Sequence, residues 1–92
     1  LPYQLMVETE SWEEKKDGSV RVQQVIIVGR DGHKAMVLGK NGASIKEIGR
    51  MARKELMEML DRPVHLFLFV KVDEKWQERR DSYSGIGLEF DV

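Results

Sequence analysis

The 92-residue chain has no cysteine, two prolines, two histidines and no long apolar run. Each shortage excludes something. Without cysteine there is no disulfide, no thiol nucleophile and no cysteine-bound zinc. Two histidines, His33 and His65, are too few for a histidine metal cage. Apolar runs such as Val25-Ile26-Ile27-Val28 fall far short of the ~20 residues that cross a bilayer. No signal peptide opens the chain, which suits a cytoplasmic protein. The phosphate-binding pattern G-x-x-x-x-G-K-[ST] is also missing, because Asn41 follows Gly39-Lys40 and position 34 is Lys. What remains is 41% hydrophobic, which is enough for one small domain with a core. A start at Leu1 rather than Met suits a domain taken from a longer protein.

The formal net charge of −1 conceals a strong bias along the chain. Residues 1–28 sum to −2 and residues 55–92 to −4. Between them, Arg30, Lys34, Lys40, Lys46, Arg50, Arg53 and Lys54 stand against Asp31 and Glu47, a net +5. For polyanion binding a local basic face counts for more than the whole-chain charge.

Hydrophobic periodicity orders the elements. Residues 3–12 alternate and read as a half-buried strand. Residues 13–19 (EEKKDGS) form a polar turn containing Asp17-Gly18. Residues 20–28 read as a second, more central strand, which Gly29-Arg30-Asp31-Gly32 breaks. Residues 33–38 suit a short helix. After Gly39-Lys40-Asn41-Gly42, residues 43–60 carry Ile45, Ile48, Ala52, Leu56, Met59 and Leu60 at helical spacing, with Lys46, Arg50 and Lys54 on another face. Pro63 ends that helix. Residues 64–72 alternate again, and Asp73 is an N-cap candidate for a last short helix to Arg80. The strand–helix–helix–strand crossover requires its two strands to be parallel and its helices to share one face. The expected fold class is therefore α+β, a two-layer sandwich of a three-stranded mixed sheet with helices on one face.

Gly39-Lys40-Asn41-Gly42 sits between the two helices at the centre of the basic segment. Two glycines three apart permit a tight turn and close approach of backbone to a ligand. The second helix begins there, so its free N–H groups and positive dipole end lie beside the loop. Lys40 and Lys46 add full charges. A sugar–phosphate backbone across this loop would meet donors and cations, and its bases would enter an apolar groove with Ile27, Val28, Met36, Val37 and Ile45 as wall candidates. A KH module holds a short single strand in this way. Alone, a GxxG string can be a plain turn; its setting between two helices, after an apolar strand and among lysines, favours RNA.

The stretch Val37 to Gly49 (VLGKNGASIKEIG) resembles the KH signature of the Era-like GTPases. So do Leu1-Pro2-Tyr3, the segment Ala52 to Leu56, and Pro63 to Val72 followed by Trp76. The resemblance runs nearly the length of the chain. It implies a type II KH domain over residues 1–92, lying after a Ras-like GTPase domain. It implies binding to the 3′ end of 16S ribosomal RNA, a role in 30S subunit assembly, and peripheral association of the parent with the inner membrane. GTP and magnesium would belong to the GTPase domain, so no cofactor, metal or catalytic residue is expected in this chain. Carried over by position, Gly39, Lys40, Asn41 and Gly42 grip phosphate, and Ile27, Val28, Gly29, Arg30, Lys34, Met36, Ser44 and Ile45 form groove and rim. Lys46 joins them as a nearby cation. The family more often places its basic residue directly before the second glycine, where this chain has Asn41. The family helix that opens the domain would lie before Leu1 where the chain starts at a boundary within a longer protein.

Other candidates read as structural. Glu8, Glu10, Glu13 and Glu14 suit a solvated strand and turn, His65 a surface position, and Met6, Met36, Met51, Met57 and Met59 mostly core. Ser44 has no base within reach. His33 is a lesser RNA candidate. Phe67 and Phe69 share the non-aliphatic side of the third strand and mark either a docking face for a GTPase domain, a ribosomal partner or a second copy, or a face covered by Trp76, Tyr83 and Phe90. The alternative reading of the whole chain is a KH-like protein–protein docking module that binds no RNA.

Overall fold

The computed structural model describes residues 4–76 and 78. The elements run β1 (Leu5–Glu14), β2 (Val20–Val28), α1 (Asp31–Leu38), a 3-10 turn (Lys40–Gly42), α2 (Ala43–Leu60) and β3 (Val64–Val72). The sheet order is β1-β2-β3. β1 pairs antiparallel with β2, and β2 pairs parallel with β3 from Val20↔Val64 to Val28↔Val72. The α1–α2 connection supplies the long crossover that parallel pairing demands.

A tight turn joins β1 and β2. Gly18 adopts φ +88°, and Asp17 Oδ1 accepts from Ser19 N at 2.9 Å and from Ser19 Oγ at 2.6 Å. The hydroxyl hydrogen bond, then the amide one, hold the Asp17 carboxyl below its ordinary value. Arg62 ties this turn to the far end of the crossover, its Nε donating to Gly18 O at 2.8 Å and its Nη1 to Glu14 Oε1 at 2.6 Å.

Cross-strand partners share a face of a sheet, so the register sorts the side chains. On the helix side, Val20, Val22 and Val64 pack with Leu56, Met57, Leu60 and Leu66, while Ile26, Val28 and Val37 pack with Leu5, Val70 and Val72. Burying each such valine contributes about 1.5–3 kcal/mol. The helices cover β2 and β3, leaving Val7 and Trp12 of β1 half exposed.

Three boundaries and one burial assignment need correction. β1 starts and ends two residues later than alternation suggests, because a bulge between Thr9 and Ser11 resets the phase and pairing with β2 carries the strand through Glu13 and Glu14. α1 starts at Asp31, since Arg30 in an extended conformation already serves as its N-cap. Met36, Met51 and Met59 are exposed, Met59 by 79%, so these three methionines are not core. Asp73 does cap a final helical turn, with Oδ1 accepting from Trp76 N at 3.0 Å. The rest of that helix, and the expected cover by Tyr83 and Phe90, lie outside the described residues.

Candidate nucleic-acid interface

Backbone conformation singles out the loop from Gly39 to Gly42. Gly39 has φ 72° and ψ 174°, a combination that is essentially glycine-only. A Cβ there would stand 2.5 Å from Ser44 Cβ and 2.8 Å from Ser44 N. This glycine therefore lets the loop close onto the start of α2. Asn41 (φ 56°, ψ 27°) and Gly42 (φ 75°, ψ 14°) are left-handed, and asparagine tolerates that region better than most residues. Around Gly42 a Cβ would meet nothing within 4 Å, so its backbone is open to solvent. Gly39 N donates to Ala35 O at 2.9 Å, and Gly42 N to Gly39 O at 3.1 Å.

Among the described residues, nothing compensates the charge at the loop. No side chain caps the N-terminus of α2, and no acidic residue stands in its first turn. The positive end of the helix dipole thus faces the loop alongside exposed Lys40 and Lys46. Neither lysine forms an ion pair with a described residue.

Down α2 from the loop, an open cavity of about 410 Å³ is lined by Ile45, Lys46, Gly49, Arg50, Arg53, Leu66 and Leu68. Two observations explain why α2 can lie so near β3. Gly49 carries no side chain, and a Cβ on it would reach Leu68 Cδ1 at 3.5 Å. Arg53 Nε donates to Val64 O at 3.0 Å, tying helix to strand. On the rim, Arg50 forms a two-pronged pair with Glu47, Nη2 to Oε1 at 2.6 Å and Nε to Oε2 at 3.0 Å. That hydrogen bonding lowers the Glu47 carboxyl and raises the Arg50 guanidinium from their ordinary values.

The structure brings Gly39, Lys40, Asn41, Gly42, Ile45 and Lys46 together, with Ser44 packed beneath the loop. It does not bring in the other expected wall residues. Ile27 is 6% exposed and pairs with Lys71, facing away from the helices. Val28 is 0% exposed and belongs to the core. Lys34 and Met36 lie about 200° apart around α1, so they cannot line the same wall. Buried Gly29 and exposed Arg30 precede α1, a helix about 12 Å long, and so lie at its far end from the loop. The residues that sequence reasoning missed are Gly49, Arg50, Arg53, Leu66 and Leu68. The signal for them was the basic spacing along α2 together with the aliphatic side of β3.

Comparison with known proteins agrees with this geometry. A family model described as KH domain matches residues 1–77. GTPase Era of a Bradyrhizobium species is 58% identical over 90 residues, spanning 98% of this chain and 29% of that protein. GTPase Era of Agrobacterium fabrum is 59% identical over 90 residues, 98% of this chain and 28% of that one. Among solved structures, Era of Aquifex aeolicus bound to GDP and AlF4− superposes with a TM-score of 0.76 at 34% identity, covering 87% of this chain and 27% of that chain. Era in complex with MgGDPNP and nucleotides 1506–1542 of 16S ribosomal RNA gives the same values. The chain spans less than a third of the length of these relatives. From the sequence signature through the two-layer mixed sheet to these likenesses, each line leads to one result: the chain belongs to the KH domain family and has the α+β, type II arrangement of the KH domain of Era.

Proposed function

We propose that this chain binds single-stranded RNA as the KH domain of an Era-like GTPase, with the 3′ end of 16S ribosomal RNA as its target and 30S subunit assembly as its setting. The observation that carries this reading is the Gly39–Gly42 loop, whose open backbone, helix N-terminus and lysines, without an acidic partner among the described residues, lead into the α2–β3 cavity. Phosphates would lie over the loop against Lys40 and Lys46. Bases would enter between Ile45 and Gly49 on one wall and Leu66 and Leu68 on the other, with Arg50 and Arg53 at the rim. Phosphate contacts position a strand and base contacts select it. The parent would hydrolyse GTP with magnesium in a separate domain and act in the cytoplasm, associating peripherally with the inner membrane. No helix among the described residues is long and apolar enough to cross a membrane.

Changing Lys40 and Asn41 together to Asp tests the grip. Titration with an RNA matching the 3′ end of 16S ribosomal RNA should show affinity falling at least about tenfold, or 1.4 kcal/mol, with the amide NMR spectrum otherwise folded. Unchanged affinity would remove the loop from the interface and favour the docking-module reading.

A further inference from the structure

We propose that the face of the sheet turned away from α1 and α2 is a second platform for single-stranded nucleic acid, on which Phe67 and Phe69 stack bases while Arg21 and Lys71 meet phosphates. Register places Arg21 beside His65, Gln23 beside Phe67, Val25 beside Phe69 and Ile27 beside Lys71, all on the side away from α1 and α2. The two phenylalanines are 43% and 52% exposed, whereas Val25 and Ile27 of the central strand are 5% and 6% exposed. Two aromatic rings therefore stand on a buried, hydrogen-bonded base. Residues two apart on a strand are about 7 Å from each other on the same face, so the rings present two separate stacking surfaces.

The surroundings of these rings favour nucleic acid over protein. The Arg21 guanidinium carbon lies 4.5 Å from the Phe67 ring centroid. That contact occupies one side of the ring and turns the guanidinium plane itself into a further surface on which a base can stack. His65 and Lys71 bracket the phenylalanines along the strand. Arg21 and Lys71 form no ion pair with a described residue. Among the described residues, the acidic side chains near this face are Glu8 opposite Val25 and Glu13 opposite Arg21 on β1, with Asp17 in the following turn within electrostatic reach of His65. Glu13 is already engaged by Lys15 at 2.7 Å, and Glu10 accepts from Gln23 Nε2 at 3.1 Å. The β3 side is thus basic and aromatic, and the β1 side is an acidic border that keeps a polyanion along β3. Aromatic stacking combined with cations is the sequence-tolerant way to hold a single strand, and each stacked base is worth about 1–3 kcal/mol. The face lies on the opposite side of the sheet from the Gly39–Gly42 loop and needs nothing from it.

The test uses the 92-residue chain already changed at Lys40 and Asn41 to Asp, so that the loop contributes no grip. Binding of a fluorescein-labelled uridine decamer is followed by anisotropy at low salt, and the amides of residues 21–27 and 65–71 by NMR. The expected result is residual, salt-sensitive binding with shifts confined to those amides. Phe67→Leu with Phe69→Leu keeps apolar bulk but removes the aromatic planes, and should weaken that binding at least about fivefold. Lys71→Glu, an exposed change that leaves packing untouched, should weaken it as well, and serves should the leucine variant lose its fold. The proposal is overturned by amides of 65–71 that stay still at saturating RNA, or by full binding in the leucine variant or in Lys71→Glu. It is overturned equally if the phenylalanine changes abolish self-association in light scattering while leaving RNA binding intact. Failure of the loop shows only in the parent chain, so the two sites are judged separately.

Discussion

Two glycines that look equivalent in sequence differ in what they permit. At Gly39 both the backbone region and a 2.5 Å approach to Ser44 Cβ forbid a side chain. Gly39→Ala should cost about 2–4 kcal/mol, combining backbone strain with a forced shift of α2. Gly42→Ala meets only the left-handed penalty, about 1–2 kcal/mol, with open space around it. Urea melts of the two variants will show whether Gly39 is the costlier. Glu47 sets a second expectation. Its carboxyl is lowered chiefly by the hydrogen bond from Arg50, so whatever stability the pair adds is present above the unfolded carboxylate pKa and lost as pH falls through the lower folded value. Both groups are exposed, so that contribution is small. The consequence for binding is larger, because Arg50 lines the cavity. Glu47→Gln releases the guanidinium and removes a negative charge. RNA affinity at neutral pH should rise about two- to fivefold by anisotropy.

At the scale of elements, α2 shows which parts of the site could be read in the sequence. The loop could, because glycine spacing and lysines are local signals. The groove walls could not, because the apolar run of β2 suggests a lining while its position as central strand puts those side chains under cover. Alternation tells which residues of β3 share a side, but edge or centre is a property of sheet order, and the edge is where Leu66 and Leu68 remain half open. The methionines were misplaced for a related reason. Helical spacing marks Met51 and Met59 as one flank of α2, yet the layer is too narrow to cover that flank. Element order, parallel pairing and the two-layer class followed from periodicity and from the length of the crossover. The bulge in β1 did not, since it depends on its partner strand. Gly49 carries this scale's prediction. A Cβ there makes ordinary 3.5 Å contact with Leu68, and glycine costs a helix interior roughly 0.5–1 kcal/mol against alanine. Gly49→Ala should therefore raise the urea midpoint while narrowing the cavity. A larger side chain such as leucine at this position should keep the fold and block RNA, as a paired melt and titration will show.

For the molecule as a whole, a net charge of −1 coexists with a basic crossover because the charge is sorted by element. Salt dependence should report the local cations rather than the total. For single strands the slope of log affinity against log salt changes by about 0.7 for each phosphate contact. Lys40→Ala should lower the slope by roughly that amount. The Gly39–Gly42 turn also governs how the molecule ages. Asn41-Gly42 is the kind of dipeptide in which the following amide nitrogen attacks the asparagine side chain and releases ammonia, and asparagine is a thermolabile residue for this reason. Here that nitrogen donates to Gly39 O at 3.1 Å, so the turn restrains its own attacker and the chemistry waits on the turn opening. Water then opens the cyclic imide so formed, and each completed event replaces a neutral amide with a carboxylate at the spot proposed for phosphate. Old protein would then lose RNA while keeping its fold, and bound RNA, by holding the turn shut, would slow the clock.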